Sequence, residues 1–228
     1  MKLDIAKAEA MLGYTFKDKA LLKQSLTHSS YAFEKKLNSL QSNERLEFLG
    51  DAVLQIVMST HLYGAYPRMD EGDLTRLRAK VVCEDSLAFA ARKVGMGPHI
   101  QLGRGEEKSG GHTRDSILAD TYEAILGGIY LDGQMPPAKD FIHRTLVPYI
   151  EQISKSIMVS DYKTTLQEAI QKHSTHPLSY ETIHEDGPAH NKTFHVEVRH
   201  QGQVLGKGVG KSKKDAEQQA ARKALEKR

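Results

Sequence analysis

Asn43-Glu44-Arg45-Leu46-Glu47-Phe48-Leu49-Gly50-Asp51-Ala52-Val53-Leu54 carries three carboxylates at helical spacing. At about 100° per residue, with Glu44 at zero, Glu47 falls near −60° and Asp51 near −20°, so one narrow arc holds all three. Leu46, Leu49, Val53 and Ile56 fall roughly 120° to 200° around the helix and form the expected apolar stripe. Acids held together repel one another unless a cation lies between them, although an acidic face on an amphipathic helix is most often simply solvated. A second segment changes the weighing. In Ser116-Ile117-Leu118-Ala119-Asp120-Thr121-Tyr122-Glu123-Ala124-Ile125-Leu126-Gly127-Gly128-Ile129, Asp120 and Glu123 share one face, while Leu118, Tyr122, Ile125 and Ile129 gather on the other. Gly127 leaves bare backbone on the acidic face, where another element or a ligand can come close. Two such helices, converging, would make an all-oxygen site for Mg²⁺ or Mn²⁺, hard cations that prefer carboxylates and water.

The elements that must position these acids read as helices. Periodic apolar positions recur through Leu12 to Leu26, Leu46 to Leu62, Leu74 to Val94, Ile117 to Leu131 and Phe141 to Ile153. Tyr66 to Gly72 and Gly95-Met96-Gly97-Pro98 are turn signals, and Gly103 to Gly111 is a polar, glycine-rich stretch expected to be a flexible loop that spaces elements or contacts a ligand. That stretch lacks the Gly-Lys-Ser/Thr ending and the preceding strand of a nucleotide-binding loop. Residues 154–160 are expected to be a short linker. After it the grammar changes: Tyr162 to His173 reads as a helix, Leu178 to Asp186, Lys192 to His200 and Val204 to Val209 alternate as strands, and Asp215 to Lys227 is an alanine-rich helix. The organisation expected is a mainly α domain over residues 1–153 and a small α-β-β-β-α domain over 161–228.

Composition narrows the function classes. One cysteine among 228 residues, Cys83, cannot form an internal disulfide; its apolar surroundings predict a buried, inert thiol, and a reducing cytoplasm fits. Charges of both signs interrupt the N-terminal segment, and no run approaches the roughly 18 apolar residues of a membrane span, so neither export nor embedding is expected. The net charge of +3 resides in residues 161–228, where 12 Lys and Arg stand against 9 Asp and Glu; residues 1–160 balance at 20 against 20.

The run from Asn43 to Leu54, taken with Glu71-Gly72-Asp73-Leu74-Thr75-Arg76-Leu77-Arg78 and Leu118-Ala119-Asp120-Thr121-Tyr122-Glu123-Ala124-Ile125-Leu126-Gly127, resembles bacterial ribonuclease III. Leu26-Thr27-His28-Ser29-Ser30-Tyr31 upstream extends the likeness. The C-terminal part resembles a double-stranded-RNA-binding domain, down to Gly187-Pro188-Ala189-His190-Asn191-Lys192-Thr193-Phe194 and Gly206 to Lys214. Carried over position by position, the resemblance implies that Glu47, Asp120 and Glu123 ligate metal, with Asp51 catalytic beside them. Together these four would hold one or two Mg²⁺, with Mn²⁺ as a substitute, and activate water for attack on phosphorus. Glu44 and Glu71 would support the site or the RNA. The implied reaction is hydrolysis of duplex RNA to 5′-phosphate and 3′-hydroxyl ends with short 3′ overhangs, serving ribosomal RNA and messenger RNA processing without a small-molecule cofactor. All six acids are intact, which argues against the competing reading of a non-catalytic double-stranded-RNA-binding protein. A hydrolase of small phosphates would leave the C-terminal module unexplained.

Lys211, Lys213 and Lys214 stand at the start of the last helix, where free amides and the helix dipole already favour phosphate. Gln167 and Glu168 on the preceding helix, and His190 in the first strand-connecting loop, can meet the 2′-hydroxyls of a shallow minor groove. Glu217 stands where many such modules have another lysine. One acidic constellation cuts one strand, so a staggered double cut calls for a homodimer. Phe48, near 40° and away from the leucine stripe, would be an exposed aromatic in a monomer. It resembles the family's phenylalanine that plugs the partner subunit; packing under a helix of its own domain is the alternative.

Overall fold

The computed structural model describes residues 3–150, 162–188 and 192–227; the expected linker and His190 lie outside these residues. The chain divides into two compact units, Met1–Gln152 and Ile153–Arg228.

The first unit is built of helices α1 (Ile5–Leu12), α2 (Lys19–Ser25), α3 (Ser29–Glu34), α4 (Glu44–Ala65), α5 (Glu71–Val81), α6 (Glu84–Val94), α7 (Arg104–Lys108), α8 (Asp115–Gly133) and α9 (Met135–Thr145). At its centre stands α8, buried at Ile117–Ala119, Thr121, Tyr122 and continuously from Ala124 to Ile129. Along that stretch only Asp120 and Glu123 reach solvent, both half-buried. The fully buried Tyr122 has its hydroxyl 2.7 Å from the Thr145 hydroxyl on α9, so its one polar atom is satisfied inside the core. At the far end of α8, Asp132 accepts from the Tyr14 hydroxyl and from the Lys17 and Asp18 amides, pinning the α1–α2 connection.

The buried face of α4 departs from the expected stripe. Leu46, Gly50, Val53, Leu54, Val57, Met58 and Leu62 are buried, whereas Ile56 is 57% exposed and Leu49 only half-buried. In the angular frame used above, Gly50, Leu54 and Met58 lie at about 240°, 280° and 320°, so the packed face sits beside the acidic arc rather than opposite it. The cause is close approach of two backbones. A Cβ on Gly50 would fall on the Glu123 carbonyl, and one on Gly127 would fall on the Leu46 carbonyl. Glycine at both positions lets α4 cross α8 at backbone contact. A hydrophobicity pattern does not count glycines as core.

Three further expectations change. The stretch Leu12–Leu26 is not one helix: α1 ends at Leu12, capped by Gly13 with a left-handed φ of 61°, and α2 begins only at Lys19. Leu74–Val94 likewise breaks between α5 and α6, and Cys83 is half-buried at that break, its thiol 3.2 Å from the Lys80 carbonyl, not a core residue. Gly103–Gly111 is no slack loop. It contains α7, tied down where Glu34 accepts the Arg104 amide at 2.7 Å and where Arg114 pairs with Glu106.

The second unit runs α10 (Tyr162–Gln171), β1 (Leu178–Asp186), β2 (Thr193–His200), β3 (Gln203–Gly210) and α11 (Lys213–Glu226), with an antiparallel sheet in the order β1-β2-β3. Val196 and Val198 pack with Leu166 and Ile170 of α10 and with Ala216, Ala220, Ala221 and Ala224 of α11. Alanines bury little area each, so they hold the sheet only at short range. Gly206, Gly208 and Gly210 alternate on the inner face of β3 and admit the α11 backbone directly, since a Cβ on any of them would overlap Ala216, Ala220, Ala224 or Asp215.

Candidate active site

The crossing of α4 and α8 brings Glu47, Asp120 and Glu123 together, with one oxygen from each carboxylate within 4.8 Å of the others. All three are half-buried. Asp51, one turn beyond Glu47, is exposed and accepts from the Gln55 amide at 3.1 Å; its charge acts on both Glu47 and Glu123. Glu44 is exposed at the start of α4, takes the Ser42 hydroxyl at 3.1 Å and acts on Glu47. Glu71 stands apart from this cluster. It opens α5 and lines a cavity of about 360 Å³ with Tyr63, Met69, Leu74 and Arg78.

Burial, reinforced by Asp51, Glu47 and Asp120, pushes the Glu123 carboxyl up to about 8. Burial and then the neighbouring Glu84 raise Asp120; burial, then Asp120, Glu44 and Asp51, raises Glu47. Among the described residues no lysine or arginine pairs with Glu47, Asp120 or Glu123. Three oxygen donors converging without a countercharge fit a hard divalent cation, because that ion would convert their mutual repulsion into attraction. Glu84, the first residue of α6, joins this field with no sequence signal, since nothing in its spacing relates it to α8.

The upstream motif also reaches the site. Thr27 and Gln101 form an isolated parallel bridge, and the Thr27 carbonyl accepts the Asn43 amide at 2.8 Å, so His28 lies against the start of α4. Burial holds its imidazole below the ordinary histidine value, with Glu106, Asp120 and Glu44 pulling the other way. Asn43, next to Glu44, is 2% exposed, and its side-chain nitrogen has no partner among the described residues.

In the second unit, the Lys163 amine pairs with Glu217 at 2.6 Å and lies over the Tyr180 ring. Glu217 therefore ties α11 to α10 where another lysine would have repelled Lys163. Gln167 is exposed one turn beyond Lys163, and Lys213 lies one turn before Glu217, so the pair joins the two helical patches into one strip. Lys213 pairs with Glu185 at 3.2 Å and sits over the Phe194 ring; Lys211 lies 3.4 Å from the Thr193 hydroxyl; Lys214 is exposed and Glu168 half-buried. Sequence reasoning missed the pairing of Lys163 with Glu217, which only the packing of two helices creates.

Residues 18–150 match the family described as Ribonuclease-III-like, and residues 162–228 match the double-stranded RNA binding motif. The chain belongs to the ribonuclease III family. It is 49% identical to Ribonuclease 3 of Pelotomaculum thermopropionicum over 94% of this chain and 89% of that protein. It is 50% identical to Ribonuclease 3 of Streptococcus pneumoniae over 93% and 91%. Among solved structures, the nuclease domain of ribonuclease III from Campylobacter jejuni superposes with a TM-score of 0.58 at 42% identity, covering 63% of this chain and 96% of that one. This ribonuclease III is accordingly an endoribonuclease with a helical nuclease domain and a double-stranded-RNA-binding domain. Among its described residues, no helix is long and apolar enough to cross a membrane.

Proposed function

We propose that the enzyme cuts double-stranded RNA with Mg²⁺, or Mn²⁺ in its place, held by Glu47, Asp51, Asp120 and Glu123. The observation that carries this reading is the convergence of three carboxylate oxygens within 4.8 Å, with no cationic side chain paired to them among the described residues. When bound, the ion supplies charge neutralisation at the scissile phosphate and acidifies a coordinated water. The protein's own part is positional. Glu47 and Glu123 are fixed by the backbone contact of α4 and α8, and Asp120 is fixed by the buried core of α8, so the cluster needs little rearrangement to receive a cation. Glu44 orders the approach to it through Ser42. Glu71, which lines a cavity with Tyr63 and Arg78, supports the site or the RNA from the start of α5. Gln167, Glu168, His190, Lys211, Lys213 and Lys214 hold the duplex through minor-groove hydroxyls and phosphates. The products carry 5′-phosphate and 3′-hydroxyl ends with short 3′ overhangs. Processing of ribosomal RNA precursors and other structured transcripts in the cytoplasm is the cellular role.

The enzyme acts as a homodimer, one site per strand. Phe48, Ile56 and Tyr63 are 80%, 57% and 77% exposed along one side of α4, an apolar row that its own domain leaves uncovered. Phe48 is thus not packed under a helix of its own unit. The Campylobacter jejuni structure is described by a region involved in dimer formation of the nuclease domain, which supports the same assembly here. The test is incubation with a long RNA duplex in Mg²⁺ against an EDTA control, for the wild type and for Glu123→Gln. Cleavage by the wild type in Mg²⁺ alone, with binding retained but cleavage lost in the variant, is expected; equal cleavage by the variant at low Mg²⁺ would remove Glu123 from the metal site.

A further inference from the structure

His28 belongs to a motif that the metal chemistry leaves without a role, yet its ring is held in one defined state. The Ser30 backbone N–H donates to Nδ1 at 3.2 Å, and the Ser30 hydroxyl lies 2.8 Å from the same nitrogen. That hydroxyl already accepts the Gly103 amide at 3.0 Å, which leaves its own proton for Nδ1. A nitrogen that accepts from two donors carries no proton, so the neutral ring keeps its hydrogen on Nε2. Nε2, on the opposite edge of the half-buried ring, has no hydrogen-bond partner among the described residues.

The surroundings are charged on several sides. Glu44, Asp120, Glu106 and Arg114, from α4, α8, α7 and the turn before α8, are the charged groups acting on the ring. Asn43 and Thr27 are joined by a backbone hydrogen bond, which keeps the ring at the start of the helix that carries Glu44 and Glu47. Gln101 accepts the His28 amide at 3.1 Å from the other side. The result is a fixed neutral donor beside the start of α4, among the acids that act on its ring. Such a donor suits a phosphate oxygen brought there as partner to the acids' cation, because it adds no charge that the acids would capture instead.

We propose that His28 is a substrate-binding residue whose Nε2–H donates to a non-bridging oxygen of a backbone phosphate at the acidic cluster. This rests on the nuclease reading above. Its Nδ1 edge caps α3 and its Nε2 edge meets RNA.

Two variants separate the edges. In His28→Asn the side-chain oxygen replaces Nδ1 as helix cap but nothing occupies the Nε2 position. In His28→Gln the amide nitrogen reaches toward the Nε2 position but the cap is lost. Single-turnover cleavage of an RNA duplex in Mg²⁺ and melting temperature in metal-free buffer are read for both. His28→Asn should melt like the wild type and cleave roughly ten- to hundredfold more slowly, the worth of one hydrogen bond to a charged acceptor. His28→Gln should melt earlier yet recover part of the rate. If His28→Asn folds and cleaves at the wild-type rate, His28 is only a cap and the inference falls. A wild type that leaves the duplex intact overturns the nuclease reading and this inference with it. A measurement needing no variant is the ¹⁵N spectrum of the His28 ring, with Ca²⁺ as a non-supporting cation. Nδ1 should read as unprotonated and Nε2 should shift when duplex RNA is added; an Nε2 signal unmoved by saturating duplex overturns the proposal.

Discussion

Removing the metal should leave the nuclease domain with an alkaline weakness that originates at Glu123. Its carboxyl is raised to about 8 in the folded chain from an ordinary 4.5, so the native state holds that proton more tightly than the unfolded state does. A group raised in this way contributes stability that is fully present below about pH 4.5 and is lost as pH climbs through about 8. At about 1.4 kcal/mol per pH unit the ceiling is about 5 kcal/mol, and because Glu123 is only half-buried, solvent screens this to roughly 2 kcal/mol. For a domain of this size that is a fall in melting temperature of about 4–8 °C. The assay is differential scanning calorimetry in EDTA from pH 5 to pH 9, for the wild type and Glu123→Gln. Only the difference between the two curves matters, because histidines and other carboxylates titrate in both. The variant should lose its disadvantage as pH rises and become the more stable chain at pH 9. Added Mg²⁺ should restore the wild type most strongly at high pH, where all three acids are ionised. Parallel curves across the range would refute the reasoning, because Glu123 would then not be buried and crowded enough to hold its proton.

Gly127→Ala places a methyl group on the Leu46 carbonyl; overpacking should outweigh the helix-propensity gain of about 1 kcal/mol, lowering stability by ~1–2 kcal/mol and cleavage more than melting temperature. Replacing Lys213 and Lys214 by Ala should weaken binding to many duplex sequences alike and flatten the salt dependence by about one unit of slope for each phosphate left without its lysine, as read by filter binding at several salt concentrations. Weakening confined to one RNA sequence would mean the lysines do not read backbone. Phe48→Ala should shift the sedimentation-derived mass toward 25.4 kDa, with truncation of an aromatic anchor costing more than about 2 kcal/mol of association and the helical circular-dichroism signal preserved. A variant that remains dimeric and active would place the dimer surface elsewhere.

The acids announced themselves in the sequence because helical periodicity is a local property. Glu44, Glu47 and Asp51, and separately Asp120 and Glu123, share a face whenever their segment is helical, and both segments are. The alternation of the strands and the alanine run of α11 were legible for the same reason. What the sequence could not say is which face of α4 packs, because Gly50 and Gly127 form the contact and glycine carries no hydrophobic signal. That contact brings Glu47 to Glu123 and turns Ile56 out to solvent. Glu84 on α6 and His28 at the cap of α3 act on Asp120, and Lys163 meets Glu217, across separations that no local pattern spans. Residue types and spacing within a segment determined the chemistry on offer; the α4–α8 crossing decided which residues share it, because convergence between segments is set by how closely two backbones can pack.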